Sequence, residues 1–169
     1  MLHVTRLRPE GIELRCGMSS LEAKVPPPAV VLVTAVLMWL ISRATSLLAF
    51  DVPAHKWLAA VLVTAGFVTG ISGVMTFRNA KTTVNPMKPG ASSMVTWGVY
   101  ALSRNPMYLG GLIMLLGWAV FLSNALAFSL LPAYVLYINR FQIAPEERAL
   151  AALFGQSYTA YQVRVRRWL

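Results

Sequence analysis

Two stretches concentrate the reactive side chains of an otherwise apolar chain. The first runs from Val95 to Gly110 and holds Tyr100, Arg104, Asn105, Pro106 and Tyr108. The second runs from Ala144 to Gly155, holds Pro145, Glu146 and Glu147, and leads through Tyr158 and Tyr161 into a basic tail. An arginine beside an amide, and a pair of carboxylates, are complementary halves of a site for a zwitterion. Arginine or helix N-terminal amides take the carboxylate of such a ligand, and a glutamate takes its ammonium. Tyr100, Tyr108, Tyr158 and Tyr161 would add an apolar, π-rich wall suited to a cation or a purine ring. S-adenosylmethionine has all of these parts, although the residue types admit it without singling it out.

Each motif alone has a plainer structural reading. Asn105 is a good helix N-cap and Pro106 fits the first helical position, so the pair would simply start a helix. Tyr108 would then be an interfacial aromatic and Arg104 a lipid-headgroup contact. Pro145 would open another helix, with Glu146 and Glu147 offsetting the positive end of its macrodipole. Two such helix starts on one membrane face are what would give the set a joint purpose.

The elements that must present them are read from composition. The chain has 169 residues, of which 57% are hydrophobic and 12% charged, with a mean hydropathy of +0.59. A soluble domain carries roughly 25% charged residues. Disorder is excluded by the apolar content, and a disulfide scaffold by the single cysteine, Cys16. Two histidines and that one cysteine cannot build a four-ligand zinc site, so no metal is expected. The net charge of +9 flanks apolar segments rather than forming a stripe, which argues for a membrane protein and against nucleic acid. No internal repeat or low-complexity tract is present.

Four apolar segments approach the roughly 20 residues that cross a bilayer as a helix. They run from about Pro26 to Phe50, Lys56 to Phe77, Met107 to Leu122 and Ala125 to Ile143, the third being short. The Ser123-Asn124 turn predicts a tight antiparallel hairpin of the last two, and Pro132 is expected to kink the fourth. Arg43, late in the first span, is expected to snorkel. Gly66, Gly70, Gly73, Gly110 and Gly117 predict close helix approach rather than chemistry.

Lys and Arg are dense before the first span (Arg6, Arg8, Arg15, Lys24), between the second and third (Arg78, Lys81, Lys88, Arg104) and in the tail (Arg140, Arg148, Arg164, Arg166, Arg167). The positive-inside rule then places both termini and the middle connection in the cytoplasm. Residues 1–25 read as a leader rather than a signal peptide, since Glu10, Glu13 and Glu22 interrupt them. Met18 begins a more conventional start, so residues 1–17 are expected to be an overlong start-site assignment or a disordered leader. Residues 26–169 would form a single domain.

The ordered set Thr96-Trp97-Gly98-Val99-Tyr100, Arg104-Asn105-Pro106-Met107-Tyr108-Leu109-Gly110, Glu146-Glu147, Phe154-Gly155 and Tyr158-x-x-Tyr161 resembles the isoprenylcysteine carboxyl methyltransferase and phospholipid methyltransferase superfamily over about residues 83–168. The resemblance implies that cytoplasmic motifs enclose S-adenosylmethionine while a lipophilic or lipidated acceptor enters from the bilayer. Tyr100, Arg104, Asn105, Tyr108, Glu146 and Glu147 would line the cofactor pocket, with Arg104 and Glu147 as the catalytic residues. Asn105 stands where the family more often has histidine. An amide can position a ligand but cannot be protonated.

The reading is therefore an all-α polytopic membrane protein of about four transmembrane helices, with a C-terminal helical hairpin and cytoplasmic cap helices. It would be an S-adenosylmethionine-dependent methyltransferase, and the expected site is a bacterial inner membrane. Isoprenylcysteine-type carboxyl methylation is the nearest precedent, and phospholipid, quinone-like and thiol acceptors stay open. A nicotinamide-dependent membrane reductase would want a phosphate-binding loop, and no glycine-rich one is visible. A non-catalytic scaffold would leave the two polar motifs without a shared role.

Overall fold

The computed structural model describes residues 25–51, 53–80 and 94–169. The expectations for the leader, including Cys16, and for Lys81 and Lys88 lie outside the described residues. Seven helices are seen among those described: α1 Pro27–Ala44, α2 His55–Asn79, α3 Pro106–Leu122, α4 Ala125–Phe128, α5 Leu130–Ile138, α6 Ala144–Phe154 and α7 Gln156–Arg164. The described residues are all-helical, and the one β-type pairing among them is an isolated bridge between Ala49 and Asn124.

Helices α1 and α2 are long and apolar enough to cross a membrane, at 18 and 25 residues. Large apolar side chains stand outward along both. Leu32, Trp57, Val61 and Phe67 are each more than half exposed, a surface suited to lipid rather than water. Helix α3 is apolar but has 17 residues. The fourth apolar segment is interrupted at Ser129, between α4 and α5. Pro132 accounts for that break, because it has no N–H to give the Phe128 carbonyl four residues earlier. The first span is shorter than its apolar run: α1 stops at Ala44, and Ser46–Leu48 form a separate 3₁₀ turn. Arg43 is exposed in the last turn of α1, as snorkelling requires.

Helices α2 and α3 pack antiparallel through their glycines. A Cβ on Gly110 would meet the Gly66 carbonyl oxygen at 2.6 Å and the Gly70 nitrogen at 2.7 Å. One end of the crossing brings Gly73 against Met107, and the other brings Gly117 against Ala59 and Val63. Gly70 departs from the expectation. Its own Cβ would meet nothing within 4 Å, so only its backbone takes part. On the other side, α1 meets α3 where Trp118 Nε1 donates to the Ala35 carbonyl at 3.0 Å. Met38, Leu115, Ala119, Ile138 and Ile143 fill the core between them.

The predicted hairpin of α3 with α4 and α5 is present. Its turn is pinned by the fully buried Asn124. The Oδ1 of Asn124 accepts from the Leu126 and Ala127 amides, capping α4, and its Nδ2 donates to the Thr45 carbonyl at 2.8 Å. One amide therefore starts a helix and ties it to the end of α1.

Pro145 stands in the first turn of α6, as a helix-opening proline does, but that turn is not a free start. The chain runs from α5 into α6 without leaving helical dihedrals, through a π-helical turn at Asn139–Ile143. The wider turn accommodates the missing N–H and the ring of Pro145, which an unbroken α-helix would not. Glu146 and Glu147 lie in the first turn of α6, which follows directly on the π-helical turn rather than on a capped N-terminus.

Candidate functional site

The polar residues of both motifs gather at the end of the bundle where α3 begins and α5 passes into α6. The chain reaches this end through a short 3₁₀ turn at Gly98–Ala101. Gly98 has φ +64, a left-handed conformation that side chains rarely adopt. The turn drops the Tyr100 ring edge-on against Phe77 of α2, with centroids 5.1 Å apart. Tyr100 is buried as a result, and its hydroxyl has no hydrogen-bond partner among the described residues.

Arg104 and Asn105 follow directly. Asn105 occupies the N-cap position of α3, yet its side chain caps nothing. Its Nδ2 donates instead to the Arg167 carbonyl at 2.9 Å, and its backbone N–H donates to Ser103 Oγ at 3.1 Å. The amide thus ties the C-terminal tail down. The Arg104 side chain is only 12% exposed, and its Nη1 lies 3.3 Å from Glu147 Oε1. Its Nε and Nη1 are buried without a hydrogen-bond partner among the described residues. The Tyr158 hydroxyl is within hydrogen-bonding reach of this side chain and of Gln162.

Glu146 and Glu147 are neighbours in sequence and point apart, as successive helical residues must. Glu146 turns toward α3, where its Oε1 accepts from the Tyr108 hydroxyl at 2.6 Å. Burial pushes the Glu146 carboxyl from 4.5 up to about 7; the Tyr108 bond lowers it and Glu147 raises it further. Its proton is therefore poised near neutrality. Glu147 turns toward the tail, where Arg167 grips both its oxygens, Nε on Oε1 at 3.1 Å and Nη2 on Oε2. Burial also holds the Tyr100 hydroxyl well above the usual phenol range, so it stays a neutral donor.

The six residues anticipated from the sequence, Tyr100, Arg104, Asn105, Tyr108, Glu146 and Glu147, are brought to this one end, in different roles. Tyr158 and Tyr161 are less a ligand wall than a small core. They are 2% and 4% exposed and pack with Val165, and the Tyr161 hydroxyl donates to the Tyr100 carbonyl at 2.6 Å. Gly155, with φ +50 and ψ −124, supplies the sharp turn that folds α7 back to make this core.

Sequence reasoning missed the tail. Arg166 and Arg167 read in the sequence as topology signals, whereas the Arg104 amide donates to the Arg166 carbonyl at 3.0 Å and Arg167 holds Glu147. Trp168 Nε1 donates to Asn139 Oδ1 at 3.2 Å, anchoring the tail on the π-helical turn. The available signal was Asn139 and Gln142, two amides closing an apolar segment just before Glu146. Gln142 is buried and donates to the Val25 carbonyl at 2.8 Å. No group of three or more metal-ligating side chains is found among the described residues.

The sequence model of the phospholipid methyltransferase family matches residues 54–157. An uncharacterized protein from Haemophilus influenzae is 48% identical over 63 residues, which is 37% of this chain and the whole of that protein. A protein-S-isoprenylcysteine O-methyltransferase from Tribolium castaneum is 40% identical over 75 residues, covering 43% of this chain and 26% of that enzyme. The solved structure of a eukaryotic intramembrane Ras methyltransferase, isoprenylcysteine carboxyl methyltransferase, superposes with a TM-score of 0.50 at 27% identity. That superposition covers 84% of this chain and 52% of the other, so the chain spans about half the length of that protein.

Proposed function

Because the chain belongs to the phospholipid methyltransferase family, we propose that it is an S-adenosylmethionine-dependent methyltransferase acting on a lipophilic or lipidated acceptor at the cytoplasmic face of a membrane. The carrying observation is that the same end of the bundle holds the buried Arg104, whose Nε and Nη1 lack hydrogen-bond partners, and the Tyr100 hydroxyl, which also lacks one. Buried donors without acceptors cost about 1–3 kcal/mol each, so a site that keeps them is shaped for a ligand that accepts. The residues fit the cofactor's methionine moiety: Arg104 takes its carboxylate and Glu146 its ammonium. When bound, S-adenosylmethionine supplies an electrophilic methyl group on a sulfonium.

The remaining work belongs to the protein. Arg104 and Glu146 orient, and the packing of Tyr100, Tyr108 and the tail excludes water from a displacement that depends on alignment. Asn105 holds the tail rather than moving a proton. In this reading Glu147 acts through Arg104 and Arg167, not on the reacting atoms. A prenylcysteine carboxylate, the acceptor that the name of the structurally similar isoprenylcysteine carboxyl methyltransferase indicates, would arrive ionised and need no base. A phenol, amine or thiol would need one, a task that Glu146 does not perform while its carboxylate holds the ammonium.

The membrane arrangement in this reading has four crossings, by α1, α2, α3 and the α4–α5 segment, with both termini cytoplasmic. The charge distribution supports it. A bacterial inner membrane is the proposed location. The test is calorimetric titration of detergent-purified protein with S-adenosylhomocysteine, with NADPH as comparison. Micromolar binding of the former, lost in Arg104→Ala and Glu146→Gln, supports the reading. Preference for NADPH, or no binding by folded protein, overturns it.

A further inference from the structure

We infer that Arg167, in the C-terminal tail, is a positioning residue that keeps Arg104 available to ligand by occupying Glu147. The inference rests on the cofactor reading above and goes beyond it by adding a residue and a competition. Arg104, Glu147 and Arg167 form a chain of cation, anion and cation. A planar guanidinium presented through Nε and Nη2 matches a carboxylate with two parallel bonds, and Arg167 makes that match with Glu147. Arg104 is left with a looser approach, 3.3 Å from Nη1 to Oε1, without hydrogen-bonding geometry. Its Nε and Nη1 stay uncommitted for that reason.

Remove the Arg167 guanidinium and the balance changes. Glu147 is then a carboxylate, 15% exposed, with the Arg104 guanidinium 3.3 Å away. A buried carboxylate and guanidinium this close close up into a bonded pair, since leaving either unpaired is costly. Arg104 would spend on Glu147 the donors that a ligand carboxylate needs. The tail is held for its task at three further points. The Arg166 carbonyl accepts the Arg104 amide, the Arg167 carbonyl accepts from Asn105 Nδ2, and Trp168 is bonded to Asn139. These fix the backbone on both sides of Arg167, so the guanidinium meets Glu147 at little entropic cost.

The competition predicts a rescue. Arg167→Ala should bind S-adenosylhomocysteine at least about tenfold more weakly than wild type. Arg167→Lys should fall between them, because an ammonium lacks the fork that covers both oxygens. Arg167→Ala combined with Glu147→Gln should recover affinity to within a few-fold of wild type, since a neutral amide no longer captures Arg104. A residue that touched the ligand directly, or merely anchored the tail, would show no such recovery. Side-chain nitrogen NMR of the ligand-free protein supplies the second readout. The Arg104 guanidinium signals should gain exchange protection in Arg167→Ala and lose that gain in the double variant. Arg167→Ala binding within twofold of wild type, a double variant as weak as the single one, or unchanged Arg104 signals would overturn the inference. Failure of the wild-type protein to bind would instead sink the methyltransferase reading, and the ligand-free spectra would still decide the role of Arg167.

Discussion

The Tyr108 hydroxyl donates to Glu146 Oε1 at 2.6 Å, a bond between residues 38 positions apart that joins the start of α3 to α6. It links the two polar motifs directly, as the Arg104–Glu147 approach also does, and it favours the charged carboxylate. Tyr108→Phe should therefore raise the Glu146 midpoint above about 7, by roughly one pH unit for a charge-assisted bond of about 1.5 kcal/mol. The measurement is the pH dependence of S-adenosylhomocysteine affinity. A midpoint moving to lower pH would contradict the assignment.

Ligand binding should follow the ionisation of Glu146. An ammonium is held by the charged carboxylate, so affinity should rise as pH increases from 6 to 8 around a midpoint near 7. Below that midpoint the slope approaches a factor of about ten per pH unit. Glu146→Gln should be weak and flat across the range. Stability runs the other way. The folded value is raised above the unfolded 4.5, so the folded state holds a proton that the unfolded state has lost between about 4.5 and 7. Wild type should thus lose thermal stability relative to Glu146→Gln as pH rises through that window.

Asn105 offers a test of tail against cap. Replacing a working N-cap asparagine by alanine costs about 1 kcal/mol of helix stability. Asn105 makes no side-chain cap, so Asn105→Ala should leave the unfolding midpoint of the bundle nearly unchanged. The loss should appear in the tail, as faster deuterium exchange at the Arg104 amide that Arg166 protects. Asn105→Asp should be worse, because it sets an acceptor against the Arg167 carbonyl.

Among the helix-packing glycines, two on facing helices should respond in opposite ways. Gly110→Ala drives a Cβ to 2.6 Å from the Gly66 carbonyl, a backbone atom that cannot swing aside. A cost of about 1–3 kcal/mol or more is expected in detergent unfolding. Gly70→Ala has open space and should be neutral or slightly stabilising.

Asn124 sits at the far end of the bundle from the site. Asn124→Ala leaves the Thr45 carbonyl and the Leu126 and Ala127 amides without their partner. Roughly 2–3 kcal/mol of stability should be lost, while ligand affinity of the folded fraction stays as in wild type.

Much of this was legible in the chain itself. Apolar segments of bilayer length, separated by Ser123-Asn124 and by polar connections, dictate helices because no other open structure satisfies backbone groups in lipid. Gly66, Gly110 and Gly117 announced a close crossing, and the motif residues Arg104, Tyr108, Glu146 and Glu147, paired by chemistry in the sequence, meet at one end of the bundle. Three matters were decided only by tertiary structure. Pro145 reads as a helix start and stands in the first turn of α6, but a π-helical turn joins that turn directly to α5. Asn105 reads as a cap, but a carbonyl 62 positions away takes its amide. Arg167 reads as one more cytoplasmic charge, but the turn at Gly155 and the packing of Tyr158, Tyr161 and Trp168 return it to Glu147. Local patterns record what each residue prefers next to its neighbours. Which donor meets which acceptor across the fold depends on where packing returns the chain, and spacing along the sequence does not encode that distance.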